Sequence, residues 1–167
     1  MRRPAGFTIL EIIVVLLLMS ILAATLLGRS ITTGTIDLNS ATDKIRNHLR
    51  YAQAQAIKTA NTDFPVWGIK SASGQYWLFR GVNPDNSANE VRLPGMDYSG
   101  TSNRINTANL GVTINSFTVL FDRVGRPYSA YTSNLSNTPL ANEQQVSTTA
   151  GSESRIITIT PETGFVQ

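Results

Sequence analysis

The chain reads as an α+β protein: a long N-terminal helix, apolar in its first half and amphipathic in its second, packed on a C-terminal antiparallel β-sheet or sandwich head. The run from Phe7 to Leu27 is apolar apart from Thr8, Glu11, Ser20 and Thr25, and no proline occurs between Phe7 and Ala60. Leu38, Ala41, Ile45, Leu49, Ala52 and Ala56 then recur every three or four residues, the spacing of one helix face. After Asn61 the pattern shifts to short β-type runs separated by turn residues.

The first 21 residues of the helix, Phe7 to Leu27, match the ~20 needed to cross a bilayer. Arg2 and Arg3 precede them, which keeps the N-terminus cytoplasmic and sends the remainder outward. Ser20 and Thr25 are tolerable there because each hydroxyl can bond back to a helix carbonyl. Glu11 is harder to place, since a charge at bilayer depth costs about 2.5–3.5 kcal/mol on insertion scales. A secretory signal peptide fits poorly, because the run is long and no clean A-x-A follows it. A plain single-span anchor explains the length and the flanking charge but leaves Glu11 without a reason.

The stretch MRRPAG-FTILE resembles the class III leader of type IV pilins and type II secretion pseudopilins. The resemblance implies cleavage between Gly6 and Phe7 by a prepilin peptidase on the cytoplasmic side, then N-methylation of Phe7. The whole apolar run then stays in the mature chain. Glu11 becomes its fifth residue, about one helical turn from the new terminal ammonium. A carboxylate in the first turn also opposes the positive end of the helix dipole, worth about 0.3–1 kcal/mol. By the resemblance, Glu11 is an assembly contact that pairs with the terminal amine of a neighbouring subunit and sets register.

The domain plan that follows is a cleaved leader over 1–6, a transmembrane and assembly helix over 7–27, an amphipathic helix over 28–60 and a β-rich periplasmic head over 61–167. Gly28 and Gly34, with Ile31, Thr32, Thr33 and Thr35, weaken the helix between the two halves, each glycine by about 0.8–1 kcal/mol against alanine. Gly28 stands where many pilins carry a proline. The expectation is a segment that is helical or nearly so in the isolated subunit and unwound in a filament.

In the head, FPVWGIK, QYWLFRGV, VTINSFTVLFD, SRIITIT and GFVQ read as strands, with SASG and PETG as hairpin turns. NPDNSANE, PGMDYSGTSN and SNLSNTPLANEQQVSTTAGSE read as polar loops, the last longer than usual. FDRVGRP, residues 121–127, and IITITPETGFV, residues 156–166, are similar to the C-terminal region of the GspH/FimT family of minor pseudopilins and minor pilins.

Composition narrows the chemistry. With 167 residues the chain makes one domain with a real core. It has no cysteine, which removes disulfides, thiolate metal sites and a Cys nucleophile. The net charge of +3 includes Arg2 and Arg3, which leave with the leader. From Thr59 onward seven basic side chains face eight acidic ones, so the head is near neutral and nucleic acid is disfavoured as a partner.

His48 is the sole histidine and reads as a surface residue or a helix–head packing contact. NPDNSANE has too few carboxylates, too irregularly spaced, for a calcium loop. Trp67, Tyr76, Trp77, Phe79, Phe117 and Phe121 alternate with polar residues and read as core. No catalytic, metal or cofactor motif is present, so the expectation is a non-enzyme without cofactors.

The function implied is a minor pseudopilin of a type II secretion system, stored as a single-pass protein of the bacterial inner membrane and drawn into a periplasmic filament. Its partners would be other pseudopilins or pilins through the N-terminal helix, the prepilin peptidase and exported cargo. The alternative is a minor type IV pilin of the FimT/FimU kind, acting in pilus initiation or DNA uptake. A single-span periplasmic binding protein or enzyme would require an uncut N-terminus.

Overall fold

The computed structural model describes residues 8–59, 65–98 and 100–167, with the backbone alone for 26–36. Helix α1 runs Ile9–Lys58. Its residues fall in two compact units, one ending at Ile36 and the other spanning Asp37–Gln167. The helix assignment continues through the glycine-containing stretch 27–35.

In the first unit every described side chain, from Thr8 to Thr25, is exposed. Ser20 and Thr25 donate to the carbonyls of Leu17 and Leu22, both at 2.8 Å, so their hydroxyls are satisfied within the helix. Among the described residues no helix is long and apolar enough to cross a membrane. The expected span over 7–27 also takes in Phe7 and the side chains of Leu26 and Leu27, which lie outside the described residues.

In the second unit α1 turns one stripe inward: Leu38, Ala41, Ile45, Leu49, Ala52 and Ala56 are all buried. They pack on two antiparallel sheets built from β1 (Val66–Ala72), β2 (Gln75–Arg80), β3 (Glu90–Val91), β4 (Ile105–Asn106), β5 (Thr113–Ile114), β6 (Phe117–Asp122), β7 (Pro127–Ser133), β8 (Ser136–Pro139), β9 (Gln144–Ala150) and β10 (Glu153–Ile159). The larger sheet has the order β3-β2-β1-β6-β7-β8, with β4 also paired to β2, and the smaller has the order β10-β9-β5.

The SASG turn is the expected hairpin. Ser73 and Gly74 both take positive φ, 51° and 72°, as a type I′ turn requires. PETG turns the chain back as well, but GFVQ forms only a bridge, Val166 to Ile159, rather than a strand.

Two further expectations about the head are corrected. VTINSFTVLFD is not one strand: β5 belongs to the small sheet and β6 to the large one. Asn115 makes the break, because its backbone N–H bonds to Ser147 O at 3.2 Å and its side chain accepts from Ser147 N–H at 2.8 Å. That holds it to β9 while Phe117 moves to pair with Ser71. The long polar stretch from Ser133 to Glu153 is not a loop either, since it contains β8 and β9. Its strands are built from Ser, Thr and Gln, with Val146 and Thr148 facing inward, so they lack the apolar contrast that marks a strand.

The six predicted aromatics are all buried, on two faces. Trp67, Tyr76, Phe117 and Phe121 join the main core under α1. Trp77 and Phe79 join Val66, Leu120, Tyr128 and Tyr131 in a second cluster. A polar pair enters the main core, Thr42 with Thr148 at 2.7 Å, and Thr42 also donates to Leu38 O at 2.7 Å.

Candidate functional site

The assembly segment begins with Thr8. Its hydroxyl accepts from the Glu11 N–H at 3.2 Å, and its carbonyl accepts from Glu11 N–H at 3.1 Å and Ile12 N–H at 3.3 Å. Thr8 is therefore the N-cap and Glu11 the third helical residue, the spacing of a T-x-x-E capping box. Sequence reasoning singled out Glu11 and passed over Thr8, although a threonine three residues before a glutamate at the head of an apolar run was visible.

Glu11 is exposed, and it is the only ionisable side chain between Arg3 and Arg29. Around and beyond it the large apolar side chains from Ile9 to Leu22 are between 48% and 80% exposed, on every face of the helix. A helix apolar on all sides has to be covered, by lipid or by other helices. Gly6 and Phe7, the expected cleavage pair, lie outside the described residues.

Residues 1–27 match the family described as the prokaryotic N-terminal methylation motif. The chain carries a class III prepilin leader. Such a leader implies processing by a prepilin peptidase and assembly with other pilins. No curated protein and no solved structure matches the chain significantly.

The head contains a second constellation, where the stretches 121–127 and 156–166 come together. Asp122 closes the β6–β7 turn: its Oδ1 accepts from Val124 N–H and Arg126 N–H, both at 2.9 Å, and its Oδ2 accepts from Tyr128 O–H at 3.0 Å. Gln53 of α1 then ties that turn to the PETG turn. Its Nε2 donates to Gly125 O at 2.9 Å and to Thr163 O at 3.0 Å. One helical turn earlier, Arg50 donates to Val166 O at 2.9 Å. A β-carbon at Gly164 would lie 2.5 Å from Gly125 O, so glycine is what lets the turns approach. Neither Gln53 nor Arg50 was distinguishable in the sequence from any polar residue on an amphipathic helix.

His48 is a buried packing contact between helix and head. Nδ1 lies 3.1 Å from Tyr76 O–H and Nε2 3.1 Å from Pro94 O. The carbonyl can only accept, so Nε2 carries the proton and Nδ1 accepts from the tyrosine. Burial pushes the imidazole below its usual pKa, the Lys44 charge adds to this, and the bond to Pro94 works against it. Burial also raises the Tyr76 hydroxyl well above its ordinary value.

NPDNSANE is held by its own side chains. Asn83 and Asn86 accept from Asp85 N–H and Ala88 N–H, and Asp85 pairs with Lys70 at 2.7 Å. Among the described residues no three His, Cys, Asp or Glu side chains are grouped to hold a metal.

Proposed function

We propose that the protein is a minor pseudopilin of a type II protein secretion system, of the GspH/FimT kind, at or near the tip of a periplasmic pseudopilus. The observation that supports this most is the helix behind the leader, apolar and exposed on every face with a single carboxylate in its first turn. Before assembly the helix is stored in the inner membrane, with the N-terminus cytoplasmic and the head periplasmic. Cleavage between Gly6 and Phe7 frees an ammonium, and Glu11 meets the ammonium of a neighbouring subunit. Two such charges in a low dielectric attract strongly only when both are present and well placed, which fixes register. The helices of the filament then cover the apolar surface that lipid covered before, while the head contacts other minor subunits or cargo.

The alternative, a minor type IV pilin, uses the same leader. The near-neutral head favours a pilus-initiating form of it over a DNA-binding one. Deleting the gene and assaying protein secretion against surface piliation separates the two systems.

Intact-mass analysis of the membrane form tests the shared foundation. The expected mass lacks Met1 to Gly6 and carries one methyl group on Phe7. An unprocessed N-terminus overturns both readings.

A further inference from the structure

We propose that His48 is a pH-sensitive latch that holds the 92–98 segment on helix α1 and releases it on acidification. His48 joins three parts of the head: α1, which carries it; β2, through Tyr76; and the 92–98 segment, through Pro94 O. Among the described residues, the segment's other ties are the Arg92 Nε–H bond to Asn103 Oδ1 at 3.2 Å, the burial of Leu93 and the bonding between Leu93 and Tyr98 within the segment itself. Leu93 is buried in the main core, its N–H donates to Tyr98 O–H at 2.5 Å, and Met96 and Tyr98 are only partly buried. It forms one wall of a hollow of about 230 Å³ facing Gln75 and Arg104.

The neutral ring satisfies both partners, and the cation does not. Protonated Nδ1 turns from acceptor to donor, so the Tyr76 hydroxyl has to accept and its own proton loses its partner. Tyr76 is fully buried, where an unpaired hydroxyl is costly. The surrounding ionisable groups do not compensate. Lys44 on α1 is a like charge, and Tyr76 on β2 stays neutral. On the segment Arg92 stacks over Tyr98 at 5.2 Å and Asp97 lines the hollow. Neither ring nitrogen meets a carboxylate.

A buried cation gains by reaching water, and the segment is the lighter cover. β2 is bound into the sheet by β1 on one side and β3 and β4 on the other, whereas residues 92–98 belong to no strand. Protonation therefore lifts the segment and leaves the sheet in place. The folded imidazole titrates below its usual value, so the latch is closed above pH 6.5 and is lost as the pH falls through that lowered value.

Hydrogen–deuterium exchange on the full-length chain in detergent, corrected for intrinsic rates, tests this between pH 7.5 and pH 5. The expected result is at least a tenfold loss of protection in 92–98, with protection of β1 and β6 unchanged. His48→Gln, which keeps a neutral donor toward Pro94, should show no such pH dependence. Equal protection at both pH values in the parent, or the same loss in His48→Gln, overturns the latch. Should the variant not fold, NMR titration of the single histidine in the parent decides: a midpoint below 6.5 with loss of 92–98 protection supports the latch, and a midpoint at or above 6.5 ends it.

Discussion

Gly68 shows how closely the large sheet is packed. A β-carbon there would lie 2.3 Å from Val119 O and 2.6 Å from the Phe79 ring, so this strand position admits only glycine. Glu162 is the opposite case. It takes φ 66° in the PETG turn, a left-handed conformation that costs an L side chain roughly 1–2 kcal/mol. The side chain is exposed, so its removal opens no cavity. Part of the gain from Glu162→Gly is lost to the greater freedom of glycine in the unfolded chain. The net expectation is a stabilisation of about 0.5–1 kcal/mol, a rise in Tm of roughly 1–4 °C in a thermal melt. An unchanged or lower Tm would show that the glutamate makes a contact worth more than the strain.

Two turns far apart in sequence depend on one helix. Gln53 supplies a donor to each, and Gly125 and Gly164 give it room. Gln53→Met keeps the length of the side chain and removes both hydrogen bonds. The expected cost is about 1–3 kcal/mol, since two carbonyls lose their partner where water only partly replaces it. Urea unfolding measures that loss. Hydrogen exchange should place it in residues 122–127 and 160–167, and a cost spread evenly over the head would mean that Gln53 serves general packing instead.

For the molecule as a subunit, Glu11 carries the sharpest expectation. It is exposed in the first turn of α1 and takes no part in the head's core, so Glu11→Ala should leave folding and membrane insertion intact. Incorporation into filaments should fall at least tenfold when the register contact is lost. Fractionation of cells followed by recovery of assembled filaments separates the two effects. Normal incorporation of the variant would remove Glu11 from assembly.

The leader, the buried stripe from Leu38 to Ala56 and the Ser73–Gly74 hairpin were all legible in the sequence. Each is a local pattern, in which the residues that carry the signal are neighbours in the chain or on one helix face. The aromatic residues were legible as core, but not by alternation: Tyr76, Trp77, Leu78 and Phe79 are consecutive and all buried, because β2 is covered on both faces. The strands hidden in the Ser133–Glu153 stretch were not. Thr, Ser and Gln carry little apolar contrast, and β9 becomes a strand by pairing with β10 and β5 while Val146 and Thr148 turn inward. The crossing between sheets at Asn115, the Gln53 clasp and the choice of the packing reading of His48 over the surface one have the same origin. Each depends on a partner between 28 and 110 residues away, and the choice of partner is made only when α1 and the two sheets pack together.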